Sequence, residues 1–100
     1  MNPYLECSEP NFWLSCFTID EDAIHIVTPE KIRLALDAEN IESRPIWKPM
    51  HMQPIFADND YITVNNVGEE IFKRGLCLPS DIKMTEEQQN EVINIIKGLF

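Results

Sequence analysis

The sequence predicts an α+β fold: a small sheet with helices packed on it. Three observations carry this. Short apolar runs with β-branched or aromatic residues lie at 11–20, 41–46 and 76–78, the size of single strands. Between and after them come segments with helix-start chemistry and apolar residues at helical spacing. The order is strand, helix, strand, long loop, helix, strand, helix, with no repeat that would make an array.

Residues 1–10 carry prolines at 3 and 10 and no periodicity, and are expected to be an irregular lead-in. In 11–20, Phe12, Trp13, Leu14, Cys16, Phe17 and Ile19 fall on both parities, which predicts a strand covered on both faces. Asp20, Glu21 and Asp22 form a turn. Residues 23–27 are apolar around His25 and read as an edge strand or as the approach to a helix. Thr28-Pro29-Glu30 opens that helix: threonine caps, proline suits the first helical position, and the acid favours the dipole. Ile32, Ala35 and Leu36, with Ala38 at the edge, form its buried stripe, and Asn40 is its stop. A second strand is expected over 41–46.

Residues 42–56 follow, a segment on which much of the reading turns. Prolines at 45, 49 and 54 forbid a regular helix, yet Ile46, Trp47, Met50, Met52, Ile55 and Phe56 are interleaved with them. A stiff, partly buried, extended segment is expected, with Arg44, Lys48 and His51 projecting from it. After a polar loop at 57–60, residues 61–64 are β-branched but short, and their state is open. Asn65 or Asn66 caps a helix carrying Val67, Ile71 and Phe72, closed by Lys73 and Arg74 with Gly75 as a left-handed stop. Leu76, Cys77 and Leu78 form a buried strand ended by Pro79. Thr85-Glu86-Glu87-Gln88 is a capping box that opens a last helix with Val92, Ile95, Ile96 and Leu99 on one face. Trp13, Phe17, Ile32, Leu36, Leu76, Leu78, Val92 and Ile96 are the expected core.

One hundred residues make one domain or a piece of a larger one. An apolar fraction of 44% excludes disorder, and a net charge of −9 argues against nonspecific nucleic-acid binding, which needs clustered Lys and Arg. No run approaches membrane-spanning length, and the N-terminus shows no basic and apolar leader pattern. Three widely spaced cysteines fit reduced thiols in a cytoplasmic protein. Cys7, Cys16, Cys77, His25 and His51 lack the close ligand pair of a metal site, and the acidic turns lack a calcium-loop pattern. Cys16 and Cys77 read as core thiols, and His25 as a half-exposed loop or strand histidine. Trp13 and Trp47 read as core residues ahead of ligand platforms. His51, beside Arg44 and Lys48, reads either as a receiver of an anionic ligand or as a packed loop histidine.

Several stretches also resemble, in order, the small C-terminal domain of the DegT/DnrJ/EryC1/StrS aminotransferases. They are Phe12-Trp13-Leu14-Ser15-Cys16-Phe17, the run from Arg44 to Phe56, the run from Ile71 to Ser80, and Thr85-Glu86-Glu87-Gln88. The resemblance covers residues 11–100. It implies the small domain of the type I aminotransferase fold, and a parent enzyme that uses pyridoxal phosphate, works as a homodimer and aminates nucleotide-linked keto-sugars from an amino-acid donor for polysaccharide or glycan precursors. It implies a larger domain, unmatched here, that holds the Schiff-base lysine. Lysines 31, 48, 73, 83 and 97 match no such position. No catalytic residue is therefore expected in this chain, which is expected to be inactive by itself and to bind no cofactor. By the same resemblance His51 contacts the sugar nucleotide, and Arg44 and Lys48 shape its anionic surroundings. A noncatalytic module that binds a protein or small ligand is the alternative.

Overall fold

The computed structural model describes residues 4–100. Three helices pack around a three-stranded antiparallel sheet, the α+β arrangement read from the sequence. Strands β1 (Ser15–Thr18) and β2 (Arg44–Pro45) both pair with β3 (Gly75–Leu78), which is central. Helix α1 spans Pro29–Ala38, α2 spans Val67–Arg74 and α3 spans Glu86–Lys97.

The helix ends follow their local chemistry. Thr28 accepts from the Lys31 N–H at the start of α1. Its C-terminus closes on Asn40, at φ 58°, with the Asn40 N–H to the Asp37 carbonyl and the Ile41 N–H to the Leu36 carbonyl. Those two bonds are a Schellman motif, and Ile41 completes it by packing on the core. At α3, Thr85 accepts from the Gln88 N–H while Gln88 Oε1 accepts from the Thr85 N–H. The Glu87 carboxyl, in this first turn, is held below the usual range by its own backbone N–H and then by Thr85. Asn66 precedes α2, but as a left-handed residue at φ 50° whose side chain caps nothing.

The core lies between one face of the sheet and helices α1 and α3. Ile19, Val27, Ile32, Leu36, Leu76 and Val92 form it, and Phe17, Leu78, Ile95, Ile96 and Leu99 pack against it half-buried. Ile19 and Val27 join the expected core. Trp13 departs from it: its side chain is 69% exposed. Phe12 just before it has φ 52°, a turn of the backbone that carries Trp13 off the strand, so β1 starts only at Ser15. β1 is half-buried at Cys16 and Phe17, which point to opposite faces of the sheet, and exposed at its ends Ser15 and Thr18, so the expected cover on both faces is partial and confined to its middle.

Residues 23–27 are neither strand nor loop. Turn bonds from Ala23 and Ile24 to the Asp20 carbonyl, and from Ile26 and Val27 to that of Ala23, wind this stretch into the approach to α1. His25 is exposed on it. The strand expected at 41–46 keeps only Arg44–Pro45, because Pro45 has no N–H to extend a ladder. Residues 46–49 stay without regular structure, but Met50–Met52 and Pro54–Phe56 form two 3-10 turns, so the proline-rich segment is folded back and not extended throughout. Residues 61–64 carry no strand. Residues 4–10 hold one turn, closed by the Ser8 N–H to the Leu5 carbonyl, and 1–3 of the expected lead-in lie outside the described residues.

Gly75 requires a correction. It is not a left-handed helix stop: at φ −101° and ψ 152° it is extended and begins β3 directly. Its need for glycine is spatial. A Cβ there would lie 2.5 Å from the Ile71 carbonyl oxygen and 2.5 Å from Ile46 Cγ1.

Candidate functional site

The sequence-nominated residues stand on the proline-rich segment and on β2. His51 sits in the first 3-10 turn, which Pro49 precedes and α2 buttresses, with Gly68 against the Pro49 ring. That contact sets the first turn of α2 beside the imidazole. His51 Nε2 and Glu69 Oε1 are 3.0 Å apart. The other side of the imidazole is stacked on Tyr61, with ring centroids 3.5 Å apart and planes 13° from parallel. The His51 side chain keeps 17% of its exposure and that of Glu69 25%. His51 is therefore a held residue, and it presents only a rim of the ring.

Arg44 is different. Its side chain is exposed, and its guanidinium pairs with Glu42. The carboxylate takes one edge of the fork and leaves other N–H groups available to an anion. Lys48 is exposed, and its carbonyl accepts from Gln53 Nε2.

Arg44 lines an open cleft of about 960 Å³, together with Trp13, Ser43, Trp47, Cys77 and Lys83. His51 and Lys48 are not among its lining residues. The structure thus separates the three nominated residues into a cleft residue and two residues outside it. The cleft is walled by two aromatic rings, Trp13 and Trp47, with centroids 6.4 Å apart and planes at 47°. Trp47 is 65% exposed, so neither tryptophan belongs to the core. Ser43 Oγ, also on the wall, is buried without a hydrogen-bond partner among the described residues. An exposed indole pair, an arginine fork and an unfilled hydroxyl suit a flat, polar-edged ligand or a covering surface.

Sequence reasoning missed Glu69 and Tyr61. No local pattern links them to His51, since Glu69 is 18 residues away and Tyr61 lies in a stretch of open state. It also missed the indole pair, because apolar character alone does not reveal which rings lack a cover. Among the described residues no group of three or more His, Cys, Asp or Glu gathers as a metal site, and no helix is long and apolar enough to cross a membrane.

The His51 contacts set an expectation. His51→Ala should destabilise the chain by about 1 kcal/mol, the usual net worth of a hydrogen bond with a charged partner less what solvent recovers. Glu69→Gln, which keeps the shape and a hydrogen bond, should cost less. Paired urea melts would check this; an unchanged midpoint for His51→Ala would show that the contact is idle.

The small antiparallel sheet with its three helices is the layout of a small aminotransferase domain, and comparison with known proteins agrees. The sequence profile of the DegT/DnrJ/EryC1/StrS aminotransferase family matches residues 5–97, and the chain belongs to that family. It is 42% identical over 93 residues to EpsN of Bacillus subtilis (strain 168), described as a pyridoxal phosphate-dependent aminotransferase. That match covers 90% of this chain and 23% of EpsN. It is 28% identical over 90 residues to the GDP-perosamine synthase of Vibrio cholerae, covering 90% of this chain and 24% of the synthase. The chain therefore spans about a quarter of the length of these curated relatives.

Proposed function

We propose that this chain is the small C-terminal domain of a pyridoxal phosphate-dependent aminotransferase that aminates a nucleotide-linked keto-sugar. Residues 11–100 make up the domain, after a lead-in. The observation that carries the proposal is the 42% identity to EpsN along nearly the whole chain. The GDP-perosamine synthase match supports a sugar nucleotide as the substrate class.

The remaining three-quarters of such an enzyme supplies what this chain lacks. All five lysines are exposed, and Lys73 is engaged with Glu70. A Schiff-base lysine needs a dry, shaped pocket to become a nucleophile. The residues present do not fit pyridoxal phosphate, and the cofactor belongs to the larger domain of the complete, dimeric enzyme. The exposed apolar residues Trp13, Trp47, Met50, Ile55, Ile62 and Val64 support a missing cover. In the complete enzyme His51, held by Glu69 and Tyr61, contacts the sugar nucleotide, and Arg44 and Lys48 neutralise its phosphates from the cleft rim and the proline-rich segment. The same reading takes the enzyme to be cytoplasmic, with three widely spaced cysteines of the reduced kind as its support.

Two measurements test this. Mixed with pyridoxal phosphate and reduced with borohydride, this chain should carry less than one adduct per molecule, scattered over its lysines; a stoichiometric adduct on one lysine would overturn the domain assignment. In the two-domain enzyme, His51→Ala should lower kcat/KM for the sugar nucleotide about tenfold or more, with cofactor absorbance unchanged. Unchanged turnover would remove His51 from the substrate site and leave it a packing residue.

A further inference from the structure

β1 and β3 bring two cysteines face to face. Cys16 is the direct partner of Cys77 in the antiparallel register, and their Sγ atoms are 3.3 Å apart. The pair class follows from a neighbouring bond. The Ile19 N–H donates to the Arg74 carbonyl, which makes Ile19 and Arg74 a hydrogen-bonded pair of the same ladder. Hydrogen-bonded and non-hydrogen-bonded pairs alternate, so three steps along, Cys16 and Cys77 form a non-hydrogen-bonded pair. Such pairs have Cα atoms about 4.5 Å apart, within the span that a disulfide bridges without moving the backbone. Access is unequal. Cys16 is half-exposed and Cys77 is buried on the cleft wall.

We propose that Cys16 and Cys77 are a dithiol pair that a small-molecule disulfide such as glutathione disulfide oxidises to a cross-strand bridge. Cys16, as its thiolate, attacks one sulfur of glutathione disulfide. That S–S bond breaks, and the departing glutathione thiolate takes up a proton to balance the one Cys16 gave up. Cys77 then loses its proton and attacks the Cys16 sulfur, forming the protein disulfide and expelling the second glutathione as a thiol. Two protein thiols are oxidised and one glutathione disulfide is reduced to two thiols. Burial, and then the hydrogen bond with Cys16, push the Cys77 thiol up to about 11, which disfavours it as the first attacker. Its attack on the Cys16 mixed disulfide is intramolecular, across the 3.3 Å contact.

The bridge would tie the edge strand β1 to the central strand, 61 residues apart in sequence, behind Trp13 on the cleft wall. Closing so long a loop restricts the unfolded chain. The oxidised form should therefore melt higher than the reduced one. Because one of the two thiols, Cys77, lies on the wall of the cleft, a more oxidising glutathione pool would stiffen the wall that Trp13 and Arg44 share.

The test uses the chain with Cys7→Ser, which removes the exposed third thiol. It is equilibrated in glutathione buffers of rising disulfide-to-thiol ratio, quenched with acid and weighed intact. The expected result is loss of two hydrogen atoms in mass, loss of both thiols together, a peptide map joining Cys16 to Cys77, a higher melting temperature, and full reversal by reduced glutathione. In a second chain with Cys77→Ala added, oxidation should stop at one glutathione on Cys16. Persistent single-glutathione adducts in the first chain, intermolecular dimers, or two thiols that survive a fully oxidised pool would each overturn the proposal. An adduct absent from the Cys77→Ala chain would overturn Cys16 as the attacking thiol.

Discussion

A chain ending at Met84 should show no cooperative thermal transition. Helix α3 is the lid of the core. Val92 is 7% exposed, and Ile95, Ile96 and Leu99 pack beside it on the cluster formed by Ile32, Leu36 and Leu76. Full burial of one such side chain is worth about 1.5–3 kcal/mol, so Val92 and three half-buried neighbours contribute roughly 4–7 kcal/mol together. Truncation also uncovers the α1 side of the core, which α3 packs against. Net stability for a domain of this size is about 5–15 kcal/mol, so the loss is comparable with the whole. Circular dichroism should show residual α1 signal without a melt. A sharp transition close to that of the intact chain would mean that the sheet and α1 hold each other without α3, and the layer assignment would fall.

The parts of this fold that the sequence displays are those decided within a turn or two of chain. Thr28 with Pro29, Asn40, and the Thr85–Gln88 box each act on backbone groups three or four residues away, and each stands where its chemistry requires. Strand ends are not local in this sense. β1 runs four residues because β3 offers four partners, and β2 stops because Pro45 cannot donate. Trp13 and Trp47 look like core by composition, but what covers an indole is a tertiary fact, and among the described residues the two rings meet each other and stay mostly exposed. At the candidate site the stiffness around His51 was visible from Pro49 and Pro54. The carboxylate that holds it was not, because Glu69 arrives from the next helix and only the fold makes it a neighbour. Arg44 and His51, seven positions apart, look like one cluster in the sequence. Two 3-10 turns and an edge strand between and beside them put only Arg44 on the cleft.

Gly75 gives the second large effect, and it distinguishes two reasons for the same residue. A glycine after Lys73-Arg74 at a helix end suggests a left-handed stop, where asparagine is a common substitute. The backbone is instead extended, and α2 runs into β3 with no loop between. A Cβ would meet the Ile71 carbonyl oxygen and Ile46 Cγ1, both at 2.5 Å. The isoleucine can turn; the carbonyl cannot move without unwinding the last turn of α2. Overpacking of this kind costs about 1–3 kcal/mol, and the backbone contact puts Gly75→Ala at the upper end. That cost should lower the melting temperature by roughly 10–20 °C for a domain of this size. Gly75→Asn carries the same Cβ and should be at least as damaging. Adding Ile46→Ala to Gly75→Ala removes the side-chain contact and not the carbonyl, so rescue should be partial at most. The decisive comparison is the order of melting temperatures. If Gly75→Asn melts near the parent chain while Gly75→Ala does not, the left-handed stop is the correct account; if both fall together, space and not conformation is what this glycine provides.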